Sequence, residues 1–159
     1  MQRACLAALI VVTACGNGPG KDGCMVGDEP TLSIGLGESR YTALTPGEVL
    51  PFVYGPQGGY HLELGLEATQ LDAEDLVTGS FEGRIDGEVV ATSNPWLTFR
   101  CDDETRTQQS WGTLLIFDTD PEDLHDVDVQ IDAEVTDMAG ASVMASLVVH
   151  IVDPENPGD

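Results

Sequence analysis

Basic residues are scarce in this chain: six Lys and Arg stand against 28 Asp and Glu in 159 residues, a formal net charge of −22. A surface of that sign repels phosphate backbones, which removes nucleic acid from the expected partners. It repels anionic lipid too, and it favours basic ligands or cations only by long-range steering; its plainest effect is a well-solvated surface. Helical periodicity is also lacking, since no segment sustains apolar residues at the three-four spacing of an amphipathic helix. Long apolar runs are missing as well. The stretch Ala4 to Val12, about nine residues, is too short to cross a bilayer as a helix. Nor does the chain contain the short signatures of common catalysis, with no G-x-S-x-G elbow, no H-E-x-x-H and no P-loop. Carboxylate pairs abound in so acidic a sequence and nothing singles one out, so a hydrolase is the least favoured expectation and the chain is read as non-catalytic.

What is present is enough apolar side chain, 42% of residues, to offset ordering entropy and build a core. The length fits one domain with a short tether. At the amino terminus Arg3 supplies a positive charge ahead of the apolar stretch, the layout of an export signal. Directly behind it, Val12-Thr13-Ala14-Cys15 resembles the bacterial lipobox. The resemblance implies that residues 1–14 are a cleaved signal and that Cys15 becomes a lipidated first residue, anchoring an exported protein to a membrane. Several acyl chains give a durable anchor where a single chain gives a marginal one. Gly16, in place of the Asp that such proteins use for inner-membrane retention, implies the outer membrane, with the domain on its periplasmic face or at the cell surface. An ordinary secretory signal cleaved nearby is the alternative. Residues 15–23 hold Gly, Asn, Pro, Lys and Asp but nothing apolar to pack, and read as a flexible tether of about 15 Å reach.

With Cys5 in the signal and Cys15 taken by lipid, Cys24 and Cys101 remain, and in an exported chain such a pair is expected to form a disulfide. A redox or metal-thiolate site would ordinarily use C-x-x-C spacing, which the pair lacks.

Through residues 24–153 the period is two. Val127, Val129, Ile131, Ala133 and Val135 alternate with Asp128, Gln130, Asp132, Glu134 and Thr136, which puts one apolar face inward and one acidic face in water. Leu62, Leu64, Leu66 and Ala68 alternate in the same way with His61, Glu63, Gly65 and Glu67. Further strands are expected at Thr31–Leu36, Gly83–Ala91, Trp96–Cys101, Trp111–Phe117 and Ser142–Val152, the last apolar enough for burial on both faces. Asp86-Gly87 reads as a two-residue hairpin turn and Asp137 to Gly140 as a four-residue loop. About seven to eight strands so spaced predict an all-β, two-sheet antiparallel sandwich, with residues 154–159 as a disordered tail.

Val135-Thr136-Asp137-Met138-Ala139-Gly140, followed by Leu147, Val149 and Ile151, resembles the final hairpin of bacterial immunoglobulin-like domains. The resemblance implies an immunoglobulin-like or related sandwich acting as a binding, adhesion or structural module toward an unknown protein or glycan. There is no tyrosine corner and no cysteine on the Val127–Val135 strand, so other sandwich topologies such as a jelly roll stay open. Gln57-Gly58-Gly59-Tyr60-His61 resembles a segment recurring in uncharacterised Gram-negative lipoproteins, which names no activity; it marks Gln57, Tyr60 and His61 as candidate binding residues, with a structural turn as the alternative.

Two metal readings compete with plain solvation. Asp118, Asp120 and Asp123, in the acidic run between two strands, are the candidate ligands for calcium as a cofactor, although Pro121 interrupts the run and the usual calcium-loop spacing is missing. His61 and Glu63, two apart on one strand, share a face and could hold a transition metal if His125 or His150 joined them. Trp96, Trp111, Tyr41, Tyr54 and Tyr60 could form an aromatic platform, but core packing is the expected role of tryptophan in a small sandwich.

Overall fold

The structure is a computed structural model that describes residues 24–27, 29–55 and 59–155. The expected signal (1–14), Cys15, the tether (15–23), Gln57 and residues 156–159 of the expected tail lie outside the described residues.

Period two is realised as twelve strands: β1 (Thr31–Leu36), β2 (Thr42–Ala43), β3 (Val49–Pro51), β4 (Val53–Tyr54), β5 (Tyr60–Thr69), β6 (Val77–Ile85), β7 (Glu88–Ser93), β8 (Trp96–Leu97), β9 (Arg100–Asp102), β10 (Thr107–Phe117), β11 (Val127–Thr136) and β12 (Ser142–Val152). One short 3-10 turn, Pro121–Leu124, precedes β11. The fold is all-β and sandwich-like, as expected. The strand expected at Trp96–Cys101 is split into two short ones, β8 and β9, on either side of Thr98 and Phe99, and the additional ones, β2, β3 and β4, have two or three residues each, too few to show an alternation.

The strands follow one continuous path, β2-β1-β5-β10-β7-β6-β11-β12-β3, with β4 on β5, β8 on β6 and β9 on β10. Two separate antiparallel sheets were expected. Instead the path is unbroken because Phe117 of β10 pairs with Ala91 of β7, and it is mixed because β3 runs parallel to β12. Around that narrow junction the sheet folds on itself, and residues of both halves enter one core: Leu62, Leu64, Leu66 and Leu115 from one side, Phe81, Val129, Ile131 and Val149 from the other. Burying each such side chain contributes roughly 1.5 to 3 kcal/mol. Gly83 of β6 lies so close beneath this seam that a Cβ there would touch Ala91 at 3.1 Å and Leu115 at 3.4 Å.

β11 alternates as its sequence predicts, with Val129, Ile131, Ala133 and Val135 buried. β12 does not fulfil the expectation of burial on both faces. Val149 and Ile151 are buried, but Met144 is 70% and Val148 41% exposed, because alternation sends them to the solvent-facing side of the sheet while only the other side of β12 packs on the core. β10 begins four residues earlier than expected, at Thr107, since a bulge between Ser110 and Thr113 breaks the alternation and hides the strand's start. Asp86 and Gly87 form the expected two-residue turn, both at positive φ (51° and 86°) as a type I′ hairpin requires. The last loop runs one residue longer than expected, to Ala141, whose N–H donates to the Asp137 carboxylate at 2.8 Å.

Register sorts the loops to two ends. Thr31 lies opposite Thr69, Gln108 opposite Ala68 and Cys101 opposite Gln108, so the strand ends around Cys24 and Cys101 gather at one end. The disulfide forms there, joining Cys24 to Cys101 with Cα atoms 5.5 Å apart. The N–H of Met138, beyond β11, donates to the carbonyl of Asp72, beyond β5, at 3.1 Å, which places Thr136, Ser142 and Thr78 at that same end. The opposite end carries Tyr60, Phe117, the acidic loop and the close of β12.

Candidate functional site

At the acidic end the sequence-predicted residues are only partly brought together. Asp118 and Asp120 line a shallow groove of about 410 Å³ with Gly59, Tyr60, Phe117 and Thr119, while Asp123, whose N–H donates to the carbonyl of Asp120 within the 3-10 turn, is not part of that lining. Tyr60 and His61 are neighbours on β5 and so face opposite sides of it. The Tyr60 ring packs edge-on against Phe52 and Tyr54 at 5.4 and 5.2 Å. His61 is buried, with β4 paired alongside it and its ring near the backbone of Gly55; its Nε2 stands 3.7 Å from Glu63. The expected shared face of His61 and Glu63 is therefore real, with His61 buried and Glu63 half-buried.

The other two histidines have partners of their own. His125 accepts a hydrogen bond through Nδ1 from the N–H of Asp153 at 3.1 Å. His150 stands between two carboxylates, Nδ1 at 2.9 Å from Asp128 and Nε2 at 3.1 Å from Asp126. Two acceptors facing two ring nitrogens select the doubly protonated imidazolium. The hydrogen bond to Asp128 raises the His150 pKa against a smaller opposing effect of desolvation, with the Asp126 bond and both charges adding to the rise. Among the described residues, no three His, Cys, Asp or Glu side chains are grouped to hold a metal ion. Nearby, Tyr54 donates to Asp153 at 2.9 Å; partial burial, then that bond and the adjoining negative charges, push its hydroxyl up to about 12.

The cysteine end holds a different arrangement, on the outer face of the sheet. Here the register builds rows of side chains that all point to solvent: Trp96, Thr78, Thr136 and Ser142 across β8, β6, β11 and β12, then Ser80, Glu134 and Met144, then Glu82, Asp132 and Ser146. Trp96 is 69% exposed, against the expectation that tryptophan would pack in the core. It cannot turn inward, because its neighbour Leu97 takes the core position and strand alternation sends adjacent side chains to opposite faces. Beside it runs a groove of about 400 Å³, lined by Thr78, Gly79, Ser80, Asn94, Pro95, Trp96, Glu134 and Thr136. The Thr136 and Ser142 hydroxyls bond to each other at 2.8 Å along its margin. One row further on, Asp132 takes hydrogen bonds from Ser146 and Gln130 and faces Arg84 at 3.5 Å; these outweigh its partial desolvation and hold its carboxyl below the usual range. Arg84 also pairs with Glu82.

The remaining aromatics do not join Trp96 in a platform. Trp111, on β10, is partly buried with the Arg100 guanidinium 5.3 Å over its ring, and Tyr41 lies across Gly35 and Gly65, its pKa raised by burial and by the charge of Glu67. Sequence reasoning named Trp96 but missed its companions Asn94, Ser80 and Glu134. The available signal was the polar half of the Val127–Thr136 alternation, which fixes Glu134 and Thr136 on the solvent face.

No known family model matches the chain, and no curated protein is significantly similar to it in sequence. The functional reading therefore rests on the geometry alone.

Proposed function

We propose that this chain is a non-catalytic binding module of the cell envelope, lipid-anchored through Cys15, whose ligand contact is the outer sheet face around Trp96. The observation that carries the reading is Trp96 itself: a large, rigid indole standing in solvent at the side of a groove lined by hydroxyls, an amide and a carboxylate. Exposing that much apolar surface gains nothing for folding, and exposed aromatics beside convergent polar groups are the usual make-up of contact sites. The lipobox-like residues and the export-type disulfide pair support the address.

Retention on washed, insoluble envelope polymers tests the contact, comparing the protein with its Trp96→Ala variant. Loss of retention on substitution is the expected result, and equal retention removes the groove from the proposal. The address is tested separately by intact mass after purification from native membrane. A chain beginning at Cys15 with added acyl mass is expected, and an unacylated soluble chain would end the anchoring part.

A further inference from the structure

Resting on that binding-module reading, we infer that the groove beside Trp96 takes an uncharged, polyhydroxylated chain, a neutral glycan. The lining groups match sugar hydroxyls, which both donate and accept. Thr78, Ser80 and Thr136 offer hydroxyls of the same dual character, Asn94 offers a donor and an acceptor on one planar group, and Glu134 offers acceptors alone. At the side of the groove the exposed indole offers a negative ring face that suits the weakly positive C–H face of a pyranose ring.

Two other ligand classes fit less well. An extended peptide binds a sheet by adding to a free edge, but the floor strands are interior ones: β6 lies between β7 and β11, and β11 between β6 and β12, so their main-chain groups are already paired. An acidic polymer meets no cation in the lining and a carboxylate at Glu134, within a protein of net charge −22. The volume, about 400 Å³, falls in the ordinary range for small-ligand sites, roughly 300 to 1,000 Å³. The polar face also continues past Glu134 to the exposed Met144, three strand spacings across and one row along from Trp96, about 16 Å in all, which leaves room for more than one sugar unit.

The test is affinity electrophoresis and tryptophan fluorescence of the purified full chain, in a Trp111→Phe background so that Trp96 is the sole reporter. The probes are soluble neutral polysaccharides (a β-1,4-glucan, a β-1,3-glucan, a xylan and a mannan), a polyuronate, and a lysine-rich peptide. Retardation by at least one neutral polysaccharide is expected, with a change in Trp96 emission, tenfold or greater weakening in Trp96→Ala, a smaller loss in Glu134→Gln and none in Tyr60→Phe. The melting midpoint of Trp96→Ala is expected to match the parent, which separates lost contact from lost folding. Binding of a neutral glycan that Trp96→Ala leaves unchanged would overturn the assignment of the groove. A response of Trp96 to the peptide or the polyuronate, with none to any neutral glycan, would overturn the glycan inference yet keep the binding-module reading. Silence toward every probe would overturn the inference, and the envelope-retention experiment then decides the broader reading independently.

Discussion

At the cysteine end of the sandwich a covalent bond closes a 77-residue span of chain, and the outer sheet face beside it carries hydroxyls, an amide and an exposed indole. Among the described residues the acidic end has no such staple. His150 sits between Asp126 and Asp128, His125 receives the N–H of Asp153, and Tyr54 bonds the Asp153 carboxylate, so the contacts there are made largely by groups that titrate. The contrast teaches that one end carries a covalent closure that pH and salt leave untouched, while the side-chain pairings at the other are tuned by both. A surface meant to hold a ligand steadily is better placed on the first.

Removing the staple should do the most damage. Cys24→Ser with Cys101→Ser, or reduction of the parent, is expected to destabilise the fold by roughly 4 kcal/mol through the freed loop entropy, lowering the thermal midpoint by about 10 to 15 °C. A midpoint unchanged by reduction would mean that the cysteine end is held by packing alone. Gly35 of β1 serves as a reference belonging to neither end. A Cβ there would lie 2.3 Å from the carbonyl oxygen of Thr42 and 2.5 Å from the Tyr41 ring, so Gly35→Ala is expected to cost about 1 to 3 kcal/mol in urea melts at any pH.

The acidic end should answer to pH instead. Pairing raises the pKa of His150 above its unfolded value of 6.5. Its contribution is therefore complete below that value and is lost as pH rises through the higher folded value. Melts at pH 6 and pH 8.5 are expected to differ in favour of the lower pH, by a margin that His150→Gln reduces; an identical margin in that variant would show that the carboxylate pair does not hold the ring. Asp132, on the outer face beside the groove rather than at the acidic end, carries the opposite sign. Its lowered pKa makes its contribution present above 3.8 and lost as pH falls through the folded value. The smallest effect is expected from calcium. Since no three candidate ligands are grouped among the described residues, millimolar calcium should move the midpoint by no more than about one degree. A rise of several degrees would return Asp118, Asp120 and Asp123 to consideration as a bound-ion site.

The alternation of residues 127–136 reads directly as β11, and with it the solvent-facing Glu134 and Thr136 of the groove. The Asp86-Gly87 turn and the Cys24–Cys101 bond were equally legible, because each follows from local chemistry or from simple elimination. Other features were not. The strand expected at Trp96–Cys101 divides into β8 and β9, which pair with different neighbours, and β10 hides its first residues behind a bulge at Trp111-Gly112. The exposure of Trp96 depends on Leu97 winning the core position, a choice that composition leaves undecided, and Asn94 and Ser80 reach the groove only through the pairing of β6 with β8 and β11. The site is thus a product of register across strands remote in sequence, and only its central strand announces itself.

Placement of the groove at the cysteine end also governs how the molecule would carry mechanical load. Tension applied between the chain ahead of Cys24 and a ligand resting on Trp96 enters through the disulfide to β9 and β10, then crosses to β6 and β11 through the core and the Asp72–Met138 hydrogen bond. That path begins with a covalent link. A sandwich pulled in this manner meets its covalent fastening before it meets the hydrogen bonds of the sheet.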